Sequence, residues 1–259
     1  MPIRNYTGDQ LPSLLGFVEA VRGWGSQGRD LARQTFREVL AQPEIAPSNN
    51  CSLLEEEGKV QGFCLVFPEL PISRTVLEYE VAPHLSGSSP ERALLRWGTD
   101  RARELGARVS HICFPDAEDR AAWLRAEGFV HARTYWDMVW DQEALPQWQV
   151  PQGFAVRSFR PGDASLLTEV QNSSFEGSWG YCPNTVEQIE YRTSMANTSH
   201  QGILFLHQDE KPAGFCWTCV APANGGIRGL IGMIGVMPDF RGQGVSSVIL
   251  LAAMEYLRS

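Results

Sequence analysis

The chain has 259 residues, enough for one large domain or two ordinary ones. Hydrophobic residues make up 43% of it and charged residues 20%, a balance that excludes disordered and fibrous classes. The formal charge of −8 argues against nucleic acid or an anionic membrane surface as partner, and no apolar run approaches the ~20 residues of a membrane-spanning helix.

The N-terminus has no apolar signal core, so the cytoplasm is the expected location. Six cysteines (51, 64, 113, 182, 216 and 219) are scattered, mostly in strand-like settings, and read as buried thiols and not as a disulfide frame. Cys216 and Cys219 have metal-type spacing but fall inside one strand, where residues three apart face opposite ways. No metal is expected.

In chain order, residues 3–6 read as a strand and 9–21 as a helix capped by Asp9. A second helix spans 31–40, closed by Pro43 and Pro47. Strands follow at 51–55, 60–67 and 75–81, the first two joined by the turn Glu57-Gly58-Lys59. A helix over 89–105 begins at Ser89-Pro90 and ends at Gly106. Then come a strand (109–114), a helix (119–127, ended by Gly128) and a long strand (131–140). Alternating strands and helices predict an α/β fold. Residues 142–153, with Pro146 and Pro151, read as a linker.

Beyond the linker the plan repeats. Ile3-Arg4-Asn5-Tyr6 returns as Val156-Arg157-Ser158-Phe159, Gly62-Phe63-Cys64 as Gly214-Phe215-Cys216, and Val81…Pro83 as Val236…Pro238. The offset drifts only from 153 to 155 residues and the order holds, so the chain carries two copies of one fold. The expected domains are 1–141 and 154–259. Copy two has strands at 154–159, 202–208, 212–220 and 227–236, and helices at 163–175, 185–195 and 244–258. It lacks the counterpart of residues 105–140, so about 35 further residues are expected in the natural product.

One stretch in copy two carries chemistry. The apolar run 230–236 ends at Pro238, glycines follow at 242 and 244, and a helix with a wide apolar face begins. Strand, glycine turn and helix start make an anion cradle: free N–H groups converge, and the helix dipole adds partial positive charge. A Walker loop is excluded because no Lys is present, and a dinucleotide fingerprint because Ser247 takes the third-glycine slot. The pattern Val236-x-Pro238-x-x-Arg241-Gly242-x-Gly244-x-Ser246 resembles the acyl-CoA signature of the GNAT superfamily of N-acetyltransferases. Ser246 stands where that family usually has Gly or Ala.

The resemblance implies two tandem GNAT-like domains, each a mixed twisted sheet flanked by helices, and acetyl transfer from acetyl-CoA to a primary amine of a small molecule. It assigns the CoA site to Ile234, Gly235, Val236, Arg241, Gly242, Gln243, Gly244, Val245, Ser246 and Ser247. Backbone groups of 234–236 would pair with the pantetheine arm, and N–H groups of 242–247 with the diphosphate. Many family members take the leaving-group proton from a Tyr on the helix after the fifth strand. Copy two stops before that helix, and copy one has no hydroxyl near Trp123, the matching place. No general base or acid is assigned, and a non-catalytic acyl-CoA-binding protein of the same fold stays open as the alternative.

Copy one departs at its turn. Ser86, Ser89 and Glu91 lie over Arg241, Gly244 and Ser246, which puts a carboxylate where a diphosphate would sit. Copy one is therefore expected not to hold CoA by its turn. The acceptor is expected near Glu176, Trp179 and Tyr181 of copy two, with sheet packing as the other reading of the two aromatics. A homodimer is left open as the assembly.

Overall fold

The computed structural model describes all residues except 27, 116, 224 and 225. In chain order the elements are β1 (Ile3–Asn5), α1 (Leu11–Arg22), α2 (Arg29–Leu40), α3 (Pro47–Asn50), β2 (Cys51–Glu56), β3 (Lys59–Glu69), β4 (Arg74–Val81), α4 (Ser89–Glu104), β5 (Val109–His111) and α5 (Glu118–Ala126). The second run is β6 (Phe154–Ser158), α6 (Ala164–Phe175), α7 (Val186–Thr193), β7 (Thr198–Gln208), β8 (Lys211–Ala223), β9 (Gly226–Val236) and α8 (Val245–Arg258). They form two compact units, each with its own sheet and helices; the sheet is mixed in unit 1, and in unit 2, where a mixed sheet was also expected, all the described pairs are antiparallel. Unit 1 is Met1–Gly23 with Glu44–Asp141, and unit 2 is Trp24–Pro43 with Gln142–Ser259.

Unit 1 holds a five-stranded sheet in the order β1-β2-β3-β4-β5, antiparallel except for the parallel pair β4–β5. The β2–β3 hairpin turns through Glu57 and Gly58, both at positive φ, which matches the twist of the flanking strands. Leu53, Phe63, Leu65, Leu77 and Leu94 are fully buried. The β4–β5 pairing covers only Arg74–Val76 against Val109–His111. Beyond Val76, β4 and the chain after β5 part company, and a cavity opens between them.

Unit 2 holds a four-stranded antiparallel sheet in the order β6-β7-β8-β9. One apolar cluster joins α8 to the face bearing Leu204, Leu206, Cys216, Ile234 and Val236. The other joins α6 and α7 to the face bearing Phe205, Phe215, Trp217 and Met233. Alternate residues of β9 thus serve opposite layers, the period-two geometry of a strand. Among the described residues β9 pairs only with β8, so one edge of it faces no strand.

Four expectations need correction. The second helix of copy one, α2, belongs to unit 2: Tyr191 Oη donates to the Glu38 carbonyl at 2.8 Å, and the Ala196 N–H donates to Glu38 Oε2 at 2.8 Å. Residues 131–140 form no strand; they have no ladder partner among the described residues, and Trp136 and Met138 are 85% and 94% exposed. A period-two pattern makes a strand only where an edge is there to receive it. Asp9 is not the cap of the first helical segment; Thr7 and Gln10 close a capping box around it instead. Of the six thiols, Cys51, Cys64 and Cys216 are buried, Cys182 and Cys219 are half-buried, and Cys113 is exposed. Burial pushes the Cys51 and Cys216 thiols up to about 12, so they are inert at neutral pH.

Candidate active site

The cradle is built where β9 ends. The Met237 N–H still donates to the Ala213 carbonyl, but Pro238 has no N–H and starts a single 3-10 turn over Pro238–Phe240. Phe240 is buried and packs edge-on to Phe154, which anchors the turn to the sheet. Gly242 and Gly244 follow at φ 75° and 74°, left-handed conformations that cost an L-residue about 1–2 kcal/mol. Gly244 is the N-cap of α8, and the buried Val245 and Val248 seat the helix on the sheet.

The result is an open helix N-terminus. Residues 241–244, Ser246 and Ser247 are exposed, and a side chain at Gly242 or Gly244 would meet nothing within 4 Å. Among the described residues, the N–H groups of Gly242, Gln243, Gly244, Val245 and Ser246 have no acceptor, whereas that of Ser247 donates to the Gly244 carbonyl at 3.2 Å. Gln243 steadies the turn from its side chain, Nε2 donating to the Asp239 carbonyl at 3.0 Å. Five free amide hydrogens at the positive end of a 14-residue helix suit a diphosphate.

Arg241 lies beside this group with its guanidinium already engaged. Nη2 donates to the Ser174 carbonyl at 3.0 Å and Nε to the Val236 carbonyl at 3.3 Å, tying the end of β9 to α6. Next to it, Gly235 is buried, and a Cβ there would stand 2.7 Å from both Ser174 Cβ and Phe215 Cε1. The glycine lets α6 close onto β9. Gln171 Oε1 and Ser174 Oγ, on that face of α6, are buried without a hydrogen-bond partner. Sequence reasoning passed over both; residues spaced by three on an apolar helix face were the only signal.

The loop between α6 and α7 sorts its aromatics. Tyr181 is structural: Oη donates to Asn172 Oδ1 at 2.7 Å and accepts from Asn184 Nδ2 at 3.2 Å, and the ring stacks on Phe175 at 5.1 Å. Burial pushes its phenol pKa up. Trp179 and Glu176 are exposed on the same loop, which bends at Gly177 and Gly180, both at positive φ.

The matching turn of unit 1 is closed. Gly87, the counterpart of Gly242, has the same left-handed φ of 74°, but its N–H donates to Glu91 Oε2 at 2.6 Å. The Ser88 N–H donates to the Leu85 carbonyl, and the Glu91 N–H to Ser88 Oγ. Glu91 is fully buried, and Arg120 of α5 donates to its other oxygen. The carboxylate serves as a built-in anion, so the turn offers no open cradle. Arg120, 29 residues away, carried no sequence signal.

Residues 165–259 match the acetyltransferase (GNAT) family model. A mycothiol acetyltransferase of Thermobispora bispora is 30% identical over 99% of this chain and 85% of its own length. The chain belongs to the GNAT family of acetyltransferases. A mycothiol acetyltransferase of Thermomonospora curvata is 28% identical over 78% of this chain and 67% of its own length. A GCN5-related N-acetyltransferase structure from Sphaerobacter thermophilus superposes with a TM-score of 0.65 at 19% identity, covering 98% of this chain and 81% of that one. A tandem GNAT protein from the clavulanic acid biosynthesis pathway gives 0.65 at 15% identity, covering 98% and 85%. The tandem fold and an acetyl transfer from acetyl-CoA to an amine follow for this GNAT chain. Among the described residues no group of His, Cys, Asp or Glu is arranged to hold a metal, and no helix is long and apolar enough to cross a membrane.

Proposed function

We propose that unit 2 alone carries the CoA site, and that the acceptor is a small molecule with a primary amine, of the mycothiol class that names the relatives. The observation that carries the first part is the run of unpartnered N–H groups from Gly242 to Ser246. Those amides and the α8 dipole hold the diphosphate, while the unpaired edge of β9 at Ile234–Val236 receives the pantetheine amides as an added strand. The thioester then lies along β9 toward Gly235. A neutral amine attacks the thioester carbonyl, the C–N bond forms and the C–S bond breaks, and the proton the amine gives up to solvent or a side chain is returned to the sulfur, so CoA leaves as the thiol. An edge N–H of β9 stabilises the oxyanion. Arg241 acts by fixing the end of β9 against α6. Trp179 and Glu176 form the wall the acceptor passes. The enzyme works in the cytoplasm.

Thiol release from acetyl-CoA tests this, with a panel of primary amines that includes deacetylated mycothiol. Acetyl-CoA-dependent turnover of a small amine, abolished by a bulky residue at Gly244 and unchanged by Ser89→Ala, is the expected result. CoA bound without turnover of any amine would favour a non-catalytic binder, and CoA bound beside Ser89 would overturn the site.

A further inference from the structure

Residues 24–43 are copy one by sequence and unit 2 by packing. Within unit 2 they reach the loop between α6 and α7. That loop has neither helix nor strand over residues 176–185, so side chains hold its shape. At its base Asn172 of α6 clamps Asn184: Nδ2 donates to the Asn184 carbonyl at 2.9 Å, and Oδ1 accepts the Asn184 N–H at 2.9 Å. Tyr181 joins the clamp through the bonds it makes to both asparagines.

The clamp is tied to α2 by one arginine. Arg192 of α7 donates from Nη1 to Asn184 Oδ1 at 2.6 Å and from Nε to Gln42 Oε1 at 3.1 Å. Gln42 lies just past the end of α2, four residues beyond Glu38, which takes the two bonds from Tyr191 and Ala196. Gln42, Asn172, Asn184 and Arg192 are all half-buried, where bonds from a guanidinium are stronger and less screened than at the surface. Trp179 and the bends at Gly177 and Gly180 lie between Phe175 and Tyr181, whose rings stack at 5.1 Å. A loop fixed at both ends has less freedom left to lose when a ligand binds.

We propose that α2, although it is copy-one sequence, is a working part of the acetyl-transfer site of unit 2. Gln42 holds Arg192, Arg192 holds Asn184, and the clamped loop presents Trp179 and Glu176 to the amine. Gln42 and Arg192 are positioning residues and touch no reacting atom. Copy one, with no open cradle of its own, thus supports the acceptor side of the open one. The inference rests on the reading that the acceptor passes this loop.

The test uses the full chain, with steady-state kinetics on the amine of the panel turned over fastest and amide hydrogen exchange of residues 176–184 in parallel. Gln42→Ala should speed exchange in the loop and raise KM for the amine about tenfold, with KM for acetyl-CoA held within about twofold. Gln42→Glu, whose carboxylate accepts from Arg192, should restore both readouts. Arg192→Met should cost at least as much, and adding Gln42→Ala to it should cost nothing more, because both cut one chain of bonds. Arg37→Ala, on the exposed side of α2, should change neither readout. Unchanged exchange in Gln42→Ala, or an equal rise in both KM values, would overturn the proposal and leave the acceptor reading intact. Faster exchange with an unmoved amine KM would place the acceptor elsewhere and overturn both. Gln42→Ala carries the test alone if Arg192→Met does not fold.

Discussion

Gly242–Ser246 and Gly87–Glu91 are two solutions to one backbone problem. Both turns follow a strand that ends before a proline, both pass through a left-handed glycine of nearly equal φ, and both feed a long helix. In unit 2 the amides stay open and the residue where the helix begins is a second glycine. In unit 1 that glycine is Ser89, and a glutamate one half-turn on folds back to accept from Gly87. A helix N-terminus requires negative charge or donor satisfaction, and it is indifferent to whether a ligand or the chain provides it. One carboxylate of the chain thus takes the place a bound anion could take, without loss of the fold.

The largest effect should come from removing that built-in anion. Glu91→Ala leaves Gly87 N–H and Arg120 without their shared partner, and denaturant unfolding should show a loss of about 3 kcal/mol in unit 1. CoA affinity should not change; if it fell, the two turns would not be independent.

Gly244→Val attacks the other turn. A branched residue at φ 74° is strained, and its methyl groups enter the space above the free amides. kcat/KM for acetyl-CoA should fall at least a hundredfold, about 2.7 kcal/mol, with the far-UV dichroism intact. A change below fivefold would show that the diphosphate sits elsewhere.

Gly235→Ala tests the contact between β9 and α6. The new methyl meets Ser174 and Phe215 at 2.7 Å, so thermal unfolding should register a loss of about 1–3 kcal/mol. The counterpart in unit 1 is Glu80, whose carboxylate accepts from Arg22 of α1 at 2.7 Å, so the two copies hold the end of this strand to a helix by different means, close packing in one and an ion pair in the other.

The smallest effect concerns an Arg and an Asp that recur at the start of both copies, Arg4 and Asp9 in one and Arg157 and Asp163 in the other, and pair only in copy two. Arg157 donates to Asp163 at 2.5 Å, and the Arg160 N–H donates to it at 2.8 Å, whereas Arg4 pairs with Glu55. Burial pushes the Asp163 pKa up, but the Arg157 and Arg160 bonds outweigh it and hold the carboxyl below its usual range. Its stabilising contribution is therefore full above the unfolded value of about 3.9 and is lost as pH falls through the lower folded value. Melting temperatures from pH 2 to 7 should show a shallower acid limb for Asp163→Asn; an unchanged limb would remove this pair from the account.

Local pattern was enough for much of this protein. The β2–β3 hairpin, the glycine turn between β9 and α8 and the family motif are legible in the sequence because each depends on residues within about a dozen positions of one another, and the repeat is legible because its matches keep an offset of 153 to 155 residues. Glu91 was legible as an obstacle to a diphosphate, but its role as the acceptor for Gly87 and Arg120 was not. Tertiary contact decided the rest. Residues 131–140 have a strand pattern and no strand, because a ladder needs a second edge that the pattern cannot supply. Helix α2 carries the sequence of copy one and packs in unit 2, because its amphipathic face specifies that it be buried and not against what. The cavity of unit 1 exists only because β4 and β5 share three paired positions before they part, a register that nothing in either strand's composition specifies.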